Sequence, residues 1–129
     1  MPTVLVVEDD PETREFYRCA LAAEGYVTQS AHNGFQAWEK AVATPFDLVV
    51  TDIAVPGLDG IELCRRLRGD VRTSAVPVLA VTGYPDRDYE DRMIQAGANQ
   101  VLSKPLDAAL LLAEARRLLG LHAPLPQSH

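Results

Sequence analysis

Short continuous runs of branched apolar residues set the first constraint on what this chain can fold into. Val4-Leu5-Val6-Val7, Leu48-Val49-Val50 and Pro77-Val78-Leu79-Ala80-Val81 carry no polar residue at alternate positions. A strand of that kind cannot turn one face to water, so it belongs in a parallel sheet covered by helices on both sides. Between the runs lie longer segments with apolar residues at helical spacing: Phe16, Cys19, Ala20 and Ala23; Ala37, Trp38 and Ala41; Ile61, Cys64 and Leu67, with Arg68 next in line. Weaker strands are expected at Val27 to Ala31 and Gln100 to Ser103, with helices near Asp86 to Ala96 and Leu106 to Leu119. Pro11 suits the first turn of the first helix and Gly25 its end. The alternation predicts an α/β fold of about five βα units in a doubly wound parallel sheet. Ligands of such sheets sit at the carboxyl ends of the strands, where strand order reverses. The residues following Val7, Thr51, Val81 and Ser103 are therefore the first place to look.

The chain has 129 residues, 47% of them apolar and 23% charged, which describes one globular domain rather than a disordered or fibrous segment. A domain of this size buries roughly two-thirds of its unfolded surface and needs no staples. No apolar run approaches the length of a bilayer span, and no basic segment leads into a long apolar stretch at the amino terminus. These features predict a cytoplasmic location and no membrane contact. Cys19 and Cys64 form neither a CxxC pair nor a zinc-ligand spacing, and both are expected to be reduced, buried thiols. A formal net charge of −6 opposes direct nucleic-acid binding, which depends on cationic side chains. No repeat or second domain is evident; residues 1–120 read as the domain, and 121–129, with Pro124 and Pro126, as a tail or linker.

The candidate chemistry gathers at the strand ends. Glu8-Asp9 follows the first strand and Asp52 the third, and neighbouring strands lie about 5 Å apart, so these carboxylates are able to converge. Two carboxylates about 4 Å apart repel by roughly 4 kcal/mol at an effective dielectric near 20, which favours a divalent cation or a raised pKa. Hard oxygen donors in an incomplete set suit Mg²⁺. The simpler alternative is that Asp9 and Asp10 only open the first helix. Thr82 and Lys104 add a hydroxyl and an ammonium at the ends of the fourth and fifth strands. A phosphoryl group on Asp52 would need that equipment.

These residues also carry a family resemblance. Glu8-Asp9-Asp10-Pro11, Asp47-Leu48-Val49-Val50-Thr51-Asp52, Val55-Pro56-Gly57-Leu58-Asp59-Gly60, Val81-Thr82-Gly83, Gly97-Ala98 and Leu102-Ser103-Lys104-Pro105 together resemble response-regulator receiver domains, from about Thr3 to Leu119. The resemblance implies a flavodoxin-like sheet of five strands in the order 2-1-3-4-5. It implies Asp52 as phosphoacceptor, Thr82 as switch hydroxyl and Lys104 as phosphate partner before a cis Lys-Pro bond. It further implies that Glu8, Asp9, Asp52 and the backbone carbonyl of Ala54 hold Mg²⁺. Such a domain is a regulatory phosphoacceptor, not a turnover enzyme. Its partners are a sensor histidine kinase or histidine phosphotransfer protein, and a downstream target or fused effector.

Several positions depart from the family pattern. Val101 stands where many receivers have an aromatic ring, and Gly83 where alanine is usual, so an interaction module that works without phosphorylation is a competing reading. Ala54 and Tyr84 occupy positions that influence phosphoryl lifetime in the family. An aspartate-dependent phosphohydrolase is the enzyme alternative, but its Asp-x-Asp motif is missing, since Ile53 and Ala54 follow Asp52. Leu110-Leu111-Leu112 with Leu118-Leu119 is wider than one buried stripe requires, and reads as core packing or as a homodimer surface on the last helices. Arg65, Arg66, Arg68, Arg116 and Arg117 read as solvated helix faces, His32 as a loop residue and Trp38 as a packing residue.

Overall fold

The computed structural model describes residues 1–83 and 86–122, the side chains of 121 and 122 excepted. Tyr84 and residues 123–129 of the expected tail lie outside the described residues. The elements alternate without exception: β1 (Thr3–Val7), α1 (Pro11–Ala23), β2 (Val27–Ala31), α2 (Gly34–Ala43), β3 (Leu48–Asp52), α3 (Gly60–Gly69), β4 (Val78–Thr82), α4 (Arg87–Gln95), β5 (Gln100–Ser103) and α5 (Ala108–His122). All strand pairs are parallel, in the order β2-β1-β3-β4-β5. The expected flavodoxin-like topology is thus observed, and the order reverses between β1 and β3. α5 passes through Gly120, which the sequence suggested as its end.

Two cores explain the unbroken apolar strands. Leu5, Val7, Val49 and Ala80 pack with Ala37, Leu63, Leu67 and Met93 on the face of α2, α3 and α4. Val4, Val6, Leu48, Val50 and Val81 pack with Tyr17, Leu21, Leu111 and Leu118 under α1 and α5. Alternate residues of each inner strand thus enter opposite cores, and both must be apolar. The outer strands β2 and β5 each lack one neighbour, which is why Thr28, Gln29 and Ser30 are tolerated and why their sequence signal is weak.

Helix starts follow from short acidic or amide side chains. Asp10, Asn33, Asp59 and Asp86 cap α1, α2, α3 and α4 by accepting backbone N–H bonds from Thr13, Gln36, Glu62 and Asp88. Gly34 has no room for a side chain, because a Cβ there would lie 1.7 Å from the Leu58 carbonyl oxygen. A Cβ on Gly60 would lie 2.8 Å from the Asp52 carbonyl oxygen, so this glycine lets α3 start directly against the end of β3.

Three readings need correction. α1 buries Tyr17 and Leu21, four residues apart, while Phe16, Cys19 and Ala23 are exposed. Both stripes are apolar, and the phase is decided by packing: Tyr17 and Leu21 fit against Val4, Val6, Leu48 and Leu111. Cys19 is accordingly a surface thiol, whereas Cys64 is buried and burial raises its pKa. Arg68 is not a solvated residue. Its guanidinium donates to the carbonyl oxygens of Gly97 at 2.9 Å and Val76 at 2.6 Å, and to Asn99 Oδ1 at 3.1 Å. Arg65 and Arg66 are exposed, as are Arg116, Arg117 and His32, and Trp38 packs partly buried against the core. In α5, Leu111, Ala115, Leu118 and Leu119 are buried at helical spacing and Leu110 is left exposed. Most of the leucine excess is therefore core.

Replacing Arg68 by Met should cost about 2 kcal/mol in urea-induced unfolding, because buried carbonyls lose charged donors. Arg65→Met, on the exposed face, should change stability by less than about 0.5 kcal/mol.

Candidate functional site

The register of the central strands brings the acidic groups together. Val7 pairs with Thr51 across β1 and β3, so the next residues, Glu8 and Asp52, emerge side by side. Asp52 in turn pairs with Val81, which places Thr82 at the end of the adjacent strand. Thr82 pairs with Ser103, and the Lys104 N–H donates to the Thr82 carbonyl at 2.7 Å, closing the rim. Glu8, Asp9, Asp52, Thr82 and Lys104 therefore share one edge of the sheet. The Lys104-Pro105 peptide is cis, as the resemblance implied.

Lys104 is the electrostatic centre of this cluster. Its ammonium donates to Glu8 Oε1 at 2.7 Å and to Asp52 Oδ2 at 2.8 Å. Glu8 is almost fully buried, at 1% exposure, and its second oxygen accepts the Asp10 N–H at 3.2 Å. Burial pushes the Glu8 carboxyl above its ordinary pKa, while the Lys104 and Asp10 hydrogen bonds pull it back and the Asp52 charge adds to the rise. Burial alone would lower the pKa of Lys104, but hydrogen bonds and charge from Asp52 and Glu8 outweigh it and hold the ammonium above the ordinary lysine range.

The remaining oxygen of Asp52, Oδ1, accepts the Ala54 N–H at 3.0 Å, which fixes the carboxylate in the turn after β3. Arg14 of α1 donates to the Glu8 carbonyl at 2.9 Å and steadies the other half of the cluster. Gly57, at φ +77°, lies in the loop between Ala54 and Gly60. A Cβ on Gly83 would only meet Lys104 Cδ at 3.8 Å, so the glycine leaves open space beside the lysine stem without being required there.

Glu8, Asp9 and Asp52 each offer a carboxylate oxygen within 4.8 Å of the others. Three carboxylates against one ammonium leave uncompensated negative charge, and Asp9 is exposed. An all-oxygen set with one solvent-facing member and one buried member suits a hard divalent ion that keeps part of its water shell. The donors therefore fit magnesium.

The model of the response regulator receiver domain matches residues 4–116. The chain belongs to that family. It is 34% identical over 128 residues to the DNA-binding dual master transcriptional regulator RpaA of Synechocystis sp., covering 99% of this chain and 53% of that protein. It is 37% identical over 116 residues to the transcriptional regulatory protein CseB of Streptomyces avermitilis, covering 90% of this chain and 48% of that one. The receiver thus spans about half the length of these curated relatives. Among solved structures, the receiver domain of sensor histidine kinase PA1611 from Pseudomonas aeruginosa superimposes with a TM-score of 0.86 at 29% identity, covering 92% of this chain and 98% of that one. That structure has a magnesium ion coordinated in its active-site cleft. As a member of the family, this chain is a phosphoacceptor switch domain of two-component signalling. Among its described residues no helix is long and apolar enough to cross a membrane.

Two residues beside the site escaped the sequence reading. Arg14 gave no signal, because its role rests on a bond to a main-chain carbonyl. Tyr89 stands in the first turn of α4, and only its position after the Asp86 cap hinted that it faces the site.

Magnesium should stabilise chelator-treated receiver against thermal unfolding, by about 3 kcal/mol at a hundredfold excess over Kd. Asp9→Asn, which removes an exposed donor without touching the Lys104 bonds, should abolish most of that gain.

Proposed function

We propose that Asp52 is the phosphoacceptor of this receiver, with a phosphohistidine of a sensor kinase or phosphotransfer protein as donor. The observation that carries the reading is the shared ammonium: Lys104 holds Asp52 and the buried Glu8 together, with Asp9 alongside. An Asp52 oxygen attacks phosphorus, the bond from phosphorus to the donor's imidazole nitrogen breaks, and a mixed anhydride forms on the carboxyl. The Ala54 N–H keeps the carboxylate oriented for that attack. Lys104 is already in place as a point charge, and its ammonium moves from the carboxylate oxygen to a phosphoryl oxygen without a long displacement.

Glu8, Asp9, Asp52 and the backbone carbonyl of Ala54 would hold magnesium, which when bound neutralises charge on the phosphoryl oxygens. Thr82 supplies a hydroxyl to the same group from β4, and its movement shifts a balance between two conformations of the β4–α4 region. The net charge of −6 argues that this domain does not itself bind DNA. Output therefore passes to a protein target or a fused effector, in the cytoplasm, with the domain through the end of α5 at His122 as the signalling unit. The names of the relatives RpaA and CseB, both transcriptional regulators, support an effector that acts on transcription.

Acetyl phosphate with Mg²⁺ should place one labile phosphoryl group on the protein, and Asp52→Asn should take none. Lys104→Ala should retain the fold and lose most of the labelling rate, by about a hundredfold, since a fixed charge at the transferring group is removed. Label that survives Asp52→Asn overturns the assignment, and wild-type protein that takes no label supports an interaction module instead.

A further inference from the structure

On the α4 side of the site the wall is built partly from an aromatic ring. Tyr89, Ile53, Ala54, Asp59 and Thr82 line a cavity of about 340 Å³. This cavity reaches the turn that holds Asp52, because its lining residue Ala54 donates its N–H to Asp52 Oδ1. Lys104 binds the other Asp52 oxygen, Oδ2, and neither Lys104 nor Glu8 is among the described lining residues, so the cavity is an approach for water that the ion pairs leave open. Among the described lining residues Tyr89 carries the only ring, and the others are aliphatic, hydroxyl or carboxylate.

The ring is held and not merely present. The Arg92 guanidinium carbon lies 5.5 Å from the Tyr89 ring centroid, a cation–π contact between residues three apart on α4. Tyr89 remains 42% exposed, facing water as well as the cavity. Ala54 projects only a methyl group into this space, and β5 brings Val101 rather than a ring to the neighbouring edge.

We propose that Tyr89 shields the acyl phosphate on Asp52 from water and so sets its lifetime. The inference rests on the assignment of Asp52 as acceptor. Hydrolysis requires a water oxygen to bond to phosphorus as the bond between phosphorus and the Asp52 oxygen breaks. Asp52 departs as the carboxylate, inorganic phosphate leaves, and the proton from water goes to phosphate or solvent. A ring that occupies the approach past Ala54 and Thr82 lowers the chance of a water reaching the required line of attack. In an in-line displacement the attacking water takes the position that the donor's leaving nitrogen held, so the ring also narrows the donor's approach, and the lifetime is read from decay after the donor is removed.

The test follows decay of the phosphoryl group in the 129-residue protein after labelling with acetyl phosphate and Mg²⁺ and rapid removal of the donor. Tyr89→Ala and Tyr89→Leu, both ringless, should lose the group at least about threefold faster than wild type. Tyr89→Phe, which keeps the ring, should stay within about twofold of wild type. Unfolding midpoints should change little at this exposed position, and the Leu variant preserves helix propensity if the Ala variant is unstable. Equal decay in wild-type and ringless proteins overturns the shield, as does a Phe variant that decays like the ringless ones. Wild-type protein that takes no label overturns the acceptor assignment and this inference together.

Discussion

One ammonium shared between two carboxylates holds the functional edge of this receiver in order. Without Lys104, the almost fully buried Glu8 would face Asp52 across adjacent strands with their mutual repulsion uncompensated. With Lys104, Glu8 and Asp52 are paired through hydrogen bonds of 2.7 Å and 2.8 Å. The compensation is incomplete, and that incompleteness is useful: the exposed Asp9 keeps the site negative enough to attract a divalent cation.

The rest of the fold exists to deliver those groups with small tolerance. Parallel pairing of β1 with β3 and of β3 with β4 aligns the strand ends, and two helical layers lock the sheet from both sides. Gly34 and Gly60 allow the loop after β3 to fold back against the strand end, where Ala54 restrains Asp52. On the opposite side of the loop, α4 is tied down unevenly. Its carboxyl end is fastened by Arg68 through the Gly97 carbonyl, while its amino end carries Tyr89 over an open cavity. An element fixed at one end and unpacked at the other is suited to move when the chemistry beside it changes.

Much of this was legible in the chain itself. The three apolar runs fixed the inner strands because strands covered on both faces leave no choice of residue type, and all five strands and five helices are present, with α5 running past its expected end to His122. The acidic pair, Asp52, Thr82 and Lys104 were readable as a set because each follows or ends a strand, and parallel strands of similar length finish at a common edge. Helix phase was less legible. In α1 both a Phe16-Cys19-Ala23 stripe and a Tyr17-Leu21 stripe are apolar, and nothing local ranks them.

The sequence alone therefore determined the fold class, the strand order through family resemblance, and the identity of the groups at the site, since these depend on residue type and on the alternation of strand and helix. Tertiary structure decided which face of α1 is buried, that Arg68 is a clamp on main-chain carbonyls, and that Tyr89 shares a cavity with Ala54 and Thr82. Those facts arise from the distance between elements far apart in the chain, and a carbonyl or a cavity has no side-chain pattern that announces it.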